Sequence, residues 1–406
     1  MNVGLVMAAA GLAIAVLGLP VTSANWRRAR GERTSGRFTS VCERVRWQQP
    51  RLNSAALSAA PKEWQFNGVP MLTRPGWILP RPIPLESVRL EWREAPPDDD
   101  GFEAARRNAR RMMPRRGGNG RPLSYGEALA EFGGMPNLFN GSTYRPIEME
   151  VADGGLRLTF TPGRYFDHLD TTEVLAYEAA ALDLAGKRPG AGGRFRRYLD
   201  DPFDLRRRSA SLGVITLTVR RADRGSGFYM HQRDGRHVVT APETIHAIPA
   251  GEFAPADVGL QAQRTDFDLW HTIMREYAEE FLDLEEAYGR GGRPLDYERR
   301  SPFKELNAAR RSGRLQLHVL GIGLDPLTWK PEILTVCAID AATFDRIFAK
   351  MVTRGREGTI LDGPRGKGIP FDVEAVHLYA DSPNTRSAAR ACLKLAWLHR
   401  AALGLA

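Results

Sequence analysis

The sequence has little cysteine. Cys42, Cys337 and Cys392 are widely spaced and form no C-x-x-C, which argues against a disulfide framework and a cysteine zinc site. Cys337 in "EILTVCAID" and Cys392 in "ARACLKLAW" read as small buried hydrophobes, which suits a reducing, cytosolic compartment. Histidine pairs are also missing. His231, His237, His246, His271 and His318 are scattered, without H-x-x-x-H or H-E-x-x-H, so no histidine zinc site is expected. No G-x-S-x-G marks a nucleophilic serine. The stretch "GPRGKGIPF", Gly363 to Phe371, has the wrong spacing for a Walker A loop, and no Ser or Thr follows Lys367. It reads as a flexible loop in which Lys367 would meet a ligand phosphate if the loop served as a lid. Acidic charge is in the minority: 57 Lys and Arg against 48 Asp and Glu give a net charge of +9. No helix-turn-helix, zinc-finger or RNP pattern accompanies that excess. Specific nucleic-acid binding is therefore not expected, and the charge reads as a membrane-proximal or phosphate-binding surface. Internal repeats are absent.

At 406 residues the chain exceeds what one compact core usually organises, so one elaborated domain or two is expected, plus tails. Residues 3–19 carry no charge, and with Pro20, Val21 and Thr22 the run reaches the roughly 20 residues that span a bilayer as a helix. Trp26 and the arginines Arg27, Arg28, Arg30, Arg33 and Arg37 follow. That order predicts a single-pass anchor over residues 1–24, acting through residues 3–22, at the cell membrane with the C-terminal domain cytoplasmic. The rival is a cleaved signal peptide, with "TSA" before Asn25 as the cleavage site. The lack of side-chain charge before the run favours the anchor.

Residues 25–60 read as a basic tether. Residues 61–205 read as an N-terminal extension: Pro-rich extended segments from Trp64 to Trp92, a disordered loop near 95–122, and a hairpin around Asp153-Gly154-Gly155. "TTEVLAYEAAALDLA" predicts a helix capped by Thr171 or Thr172. From 206 to 406 the pattern is mixed α/β. "SASLGVITLTVRR", Ser209 to Arg221, predicts a strand, and "FYMHQRD" another. "LQLHVLGIGLDPLTWKPEILTVCAID" predicts two strands joined at Asp325-Pro326. "NTRSAARACLKLAWLHRAALGL" predicts a C-terminal helix capped by Asn384 or Thr385.

The segment "WHTIMREYAEEFLDLEE" predicts an amphipathic helix from about Phe267 to Glu286. Leu269 or Trp270, with Ile273, Tyr277, Phe281 and Leu284, forms its apolar stripe. Glu276 shares a face with Glu279 and Glu280, and Arg275 with Glu279. Three neighbouring carboxylates repel, and a hard divalent cation such as Mg²⁺ or Mn²⁺ would remove that penalty.

"REYAEEF" resembles the core of the Nudix box, G-x5-E-x7-R-E-U-x-E-E-x-G-U. Arg275, Glu276, Glu279 and Glu280 match its R-E-x-x-E-E, and "AIPAGEF" resembles the strand and glycine turn before it, with Gly251 as the turn glycine. The resemblance covers roughly residues 205–400 and implies a Nudix-like mixed sheet with flanking helices. It implies a Mg²⁺ or Mn²⁺ site at Glu276, Glu279 and Glu280, with Arg275 orienting the helix through a salt bridge. It also implies a nucleotide-type ligand, a nucleoside diphosphate derivative that the family hydrolyses by metal-activated water. Gly251, Arg207 and Lys367 are the candidate ligand-binding residues, Arg207 from the run Arg206-Arg207-Arg208. The pattern departs from the box at three places. An insertion follows Gly251, Phe267 stands where the first Glu belongs, and Leu282 stands where the glycine belongs. Boxes of this kind also suit non-catalytic nucleotide-sensing domains, and the architecture is similar to that of regulatory and antiphage-signalling proteins with a fused transmembrane segment.

Overall fold

A computed structural model describes residues 26–405, apart from 67, 96–99, 117–119, 136–137, 153, 191, 224, 234–243, 258, 285–293, 357 and 365. The expected span over residues 3–22 lies outside the described residues. Among those described, no helix is long and apolar enough to cross a membrane.

The chain enters through α1 (Trp26–Ala59), a 34-residue helix where a tether was expected. The segment is polar overall, so its helical signal in the sequence is weak. Tertiary packing supplies what propensity does not. Phe38, Val41, Val45, Leu52 and Ala56 are buried along one side. Phe38 packs on Tyr125 and Tyr177 with ring centroids 6.1 and 5.2 Å apart. Arg44 and Arg51 both reach Asp183.

The Pro-rich stretch forms β1 (Ile78–Pro84) and β2 (Val88–Trp92). Part of the loop expected to be disordered is α2 (Asp100–Arg110), which buries Phe102, Ala105 and Ala109 at helical spacing. A capping box between Ser124 and Glu127 opens α3 (Tyr125–Phe132). The expected hairpin is β3 (Ser142–Ala152) with β4 (Gly155–Arg164), and β2 joins β4 on its other side. Next come α4 (Tyr165–His168), a π-helical turn (Leu169–Glu173) and α5 (Val174–Leu184). Thr171 and Thr172 are not caps. They lie inside the π turn and donate to the Ser209 carbonyl at 3.0 and 2.6 Å. A short α6 (Arg194–Leu199) completes this part. The extension is thus more helical than expected.

The second half supplies most of the main sheet. The strands of this half begin with β5 (Gly213–Arg221), β6 (Gly227–Phe228), β7 (Met230–Arg233), β8 (Ile245–Ala247) and β9 (Ala250–Glu252); β7 and β8 pair with each other outside the main sheet. After α7 (Leu260–Thr265), α8 (Leu269–Glu276) runs into a second π turn (Tyr277–Phe281). Then follow α9 (Phe303–Arg311), β10 (Leu315–Leu324), β11 (Pro331–Asp340) and α10 (Ala341–Ile347). The chain closes with β12 (Gly358–Leu361), β13 (Ile369–Pro370), α11 (Val373–Ala380) and α12 (Ser387–Leu398). The N-cap of α12 is Arg386, not Asn384 or Thr385, and no side chain caps it.

The sheet order is β1-β10-β11-β5-β6-β13, with β9 also paired to β5. β11 and β5 are parallel, from Glu332 opposite Gly213 to Asp340 opposite Arg221. A parallel pair is covered on both faces, which explains the near-continuous apolar runs "LGVITLTV" and "ILTVCAI". Trp270, Ile273, Phe281, Phe303 and Phe344 belong to the core on one face. Ile215, Leu217, Leu334 and Val336 belong to the other, with Cys392, Leu393 and Leu395 of α12. The result is a mixed α/β fold with helices on both faces of the sheet. Cys337 and Cys392 are buried, as expected.

Candidate functional site

The carboxylate helix forms for local reasons. Asp268 caps α8, accepting from the Trp270 and His271 backbone N–H groups at 2.7 and 3.3 Å. Trp270, Ile273, Tyr277 and Phe281 are almost fully buried, and each contributes about 1.5–3 kcal/mol by leaving water. Arg275 is buried on Asp266, 3.4 Å away, and donates to the Ala254 carbonyl and the Tyr297 hydroxyl at 2.6 and 2.9 Å. Burial opposes its charge, but Tyr297 and Asp266 more than compensate and raise its pKa. The salt bridge of Arg275 thus runs to Asp266, where the helix spacing pointed to Glu279. His271 stacks on Tyr297 with centroids 3.8 Å apart, a packing role.

Gly251 and the glutamates meet at β9. A Cβ on Gly251 would stand 2.0 Å from Glu276 Oε1, so glycine lets this carboxylate lie against the strand. Glu280 Oε2 accepts from the Ala250 N–H at 3.1 Å, and its Oε1 lies 3.8 Å from His231 Nδ1. Burial and Arg233 depress the His231 pKa to about 3, which keeps that ring neutral. Glu279 is half-buried. The π turn follows Glu276 directly. A π turn holds more residues than an α turn, so Glu279 and Glu280 are offset from the i+3 and i+4 positions of a straight helix. Among the described residues, no group of three or more His, Cys, Asp or Glu side chains is placed to hold a metal ion.

The other expected ligand residues lie elsewhere. Arg207 donates to the Leu199 carbonyl at 3.3 Å and covers the Tyr198 ring. Its neighbour Arg208 is fully buried, tying Thr172, Pro202 and Trp329 together. Lys367 lies beside Gly227, and its charge acts on Asp345. Neither Arg207 nor Lys367 lines the principal cavity.

That cavity, about 400 Å³, lies where β5 and β11 begin and β9 ends. Gly213, Ile215, Ala250, Gly251, Glu252 and Glu332 line it from the sheet. Cys42, Val45 and Gln49 of α1 and Tyr125 and Leu129 of α3 line it too. The π turn before α5 places Glu173 there, and the β10–β11 turn places Lys330 there.

The turn is tightly built. Asp325 accepts from the Leu327 and Thr328 N–H groups at 3.0 and 2.9 Å and from Asn53 of α1 at 2.5 Å. Trp329 adopts φ 61, a left-handed conformation costly for a bulky side chain. Arg196 over its ring, at 4.6 Å, and Arg208 on its carbonyl, at 2.6 Å, hold it there. Backbone strain of this kind clusters at functional sites, and the next residue, Lys330, lines the cavity.

Lys330 Nζ lies 2.7 Å from Glu252 Oε1. Burial would lower its pKa, but Glu252, Glu173 and Glu332 raise it. Burial would raise Glu252 and Glu173. Lys330 and His168 instead hold Glu252 below the usual carboxylate range, and His168 and Lys330 do the same for Glu173. The Ser211 N–H donates to His168 Nδ1 at 3.1 Å, so Nε2 carries the proton that faces Glu173 Oε1 at 3.4 Å. Glu332 differs from the other two. Burial, aided by Asp325, pushes its pKa up to about 7. His246, also on the wall, is held neutral by burial and Arg386.

Sequence reasoning missed this cluster. Its signal was present in "TWKPEILTVCAI", where Lys330 just before the strand and Glu332 at its start precede a run otherwise built for burial; buried charges demand partners. No protein-family model matches the chain, and no curated protein is significantly similar to it.

Proposed function

We propose that this chain is a Nudix-like protein that binds a nucleoside diphosphate derivative in the cavity over β9, as a sensor rather than as a hydrolase. The observation that carries the reading is the cavity itself. Its volume is in the range of metabolite sites, and it combines an apolar wall with a few convergent polar groups. β9 and β5, both at its floor, pack against α8. The choice of binding over turnover is supported by where the box residues point. Arg275 is committed to Asp266, Glu280 to the Ala250 N–H, and Glu276 to the space beside Gly251.

Hydrolysis with Mg²⁺ or Mn²⁺ on Glu276, Glu279 and Glu280 is the second reading. It is favoured by the contacts of Glu276 and Glu280 with Gly251 and Ala250, which also line the cavity. We place the protein at the membrane through residues 3–22, with its folded part in the cytosol. Reporter fusions at both ends test that orientation.

The full chain, screened with ADP-ribose, nucleotide sugars and dinucleotides, separates the two chemical readings. The sensor predicts saturable binding in chelator and no product. Release of mononucleotide on adding Mg²⁺ or Mn²⁺, lost in Glu279→Gln and Glu280→Gln, establishes the hydrolase instead. No binding by any of these compounds defeats both.

A further inference from the structure

Two charged side chains on the cavity wall have no bonding partner among the described residues. Glu332 is 3 % exposed, yet its carboxyl makes no hydrogen bond or ion pair. It stands opposite Gly213, where a Cβ would come within 3.0 Å of its Cγ, so the absence of a side chain there gives it room. The half-buried Arg386 also lines the cavity, and its guanidinium makes none either. Arg386 is the N-cap of the 12-residue α12, whose first turn lacks a side-chain cap. The positive end of that helix dipole adds to the guanidinium. The other charges of the cavity floor are already engaged: Lys330 with Glu252, and His168 with Glu173.

We propose that Arg386 and Glu332 form an oxyanion seat for the ligand: a phosphate or carboxylate oxygen accepts from the guanidinium and from the protonated Glu332 carboxyl. The proposal rests on the cavity being the ligand site. It assigns the anionic end of the ligand to the α12 side of the sheet, away from the carboxylates of α8. A buried carboxylic acid donates to an anion, whereas a carboxylate repels it, so seating the anion requires Glu332 to hold its proton. The charged groups that face Glu332 are Asp325 of the β10–β11 turn, Glu173 of the π turn, Lys330 of its own chain segment and Arg386. Asp325 and Glu173 favour the protonated form; Lys330 and Arg386 oppose it. Burial tips the balance, so the free site titrates near pH 7. Anion binding then takes up a proton as pH rises through that value.

The test is calorimetry on the full chain with ADP-ribose and, separately, inorganic pyrophosphate, from pH 6 to pH 8.5. Wild-type affinity is expected to fall above pH 7 by up to about tenfold per pH unit. Glu332→Gln, which keeps a neutral donor, is expected to bind with affinity independent of pH. Arg386→Ala is expected to bind about 30-fold more weakly, the loss of a charged hydrogen bond, with an unchanged melting temperature. Pyrophosphate binding that shares this pH dependence locates the effect in the anion rather than the nucleoside. Flat wild-type affinity, affinity rising with pH, or normal binding by Arg386→Ala overturns the seat while leaving the cavity as the ligand site. If neither probe binds at any pH, the ligand reading of the cavity fails, and the seat with it.

Discussion

At the residue scale, Arg275 shows what a motif conveys and what it hides. The resemblance marked Arg275 as an orienting residue, and in the fold its salt bridge runs to Asp266. Its partner Asp266 was not legible, because the box places an acid eight positions before the arginine and Phe267 stands there. Only the fold brings Asp266 within 3.4 Å. Removing one member of a buried pair leaves the other uncompensated, so Arg275→Ala should cost about 3–5 kcal/mol by urea denaturation. A loss below about 1 kcal/mol would show the pair to be dispensable.

Glu332 makes the opposite prediction. Its folded pKa of about 7 lies above the ordinary 4.5. A raised carboxyl binds its proton more tightly when folded. Its favourable contribution is therefore full at low pH and is lost as pH rises from about 4.5 to about 7. Glu332→Gln should stabilise the protein by about 1–3 kcal/mol more at pH 8 than at pH 5. Equal effects at both pH values contradict a raised pKa. Glu173 and Glu252 run the other way, contributing stability at neutral pH that is lost in acid as each protonates.

At the element scale, β9 and α8 are fitted through one glycine. Gly251→Ala forces a Cβ to within 2.0 Å of Glu276 Oε1 and should destabilise by about 1–3 kcal/mol. Adding Glu276→Ala removes the clash and should restore most of the loss; melting curves of the single and double variants measure it. Absence of rescue means that Gly251 is needed for some other reason. α8 was legible because its stripe, from Trp270 to Phe281, repeats at the helical period. The π turn was not legible, since periodicity assumes a straight helix. α1 was misread for a related reason: its apolar residues are sparse among polar ones, and it is held by partners distant in sequence, Tyr125, Tyr177 and Asp183. The parallel pair of β5 and β11 was legible as two strands, but their adjacency is a matter of topology that neither strand encodes alone.

At the scale of the whole molecule, the cavity is a joint product of both halves of the chain. The sheet gives its floor, and α1 and α3 give its wall. Asn53 of α1 bonds Asp325 at 2.5 Å and accepts from Ser387 Oγ at 2.9 Å, so α1 touches the β10–β11 turn and the start of α12 together. A chain beginning after α1 would therefore lack part of the site, and ligand tests belong on the full chain. Val45, an apolar residue of α1, lines the cavity, so enlarging it fills the space without removing a charged group of the floor. The most direct measurement of the central claim is calorimetric titration of ADP-ribose, in chelator, into the full-length wild type and Val45→Trp. Saturable binding by the wild type, abolished in a Val45→Trp protein with an unchanged far-ultraviolet spectrum, is the predicted result. Equal binding by the two proteins, or binding that appears only with Mg²⁺ and vanishes in Glu280→Gln, would contradict the account and return the ligand to the carboxylate helix.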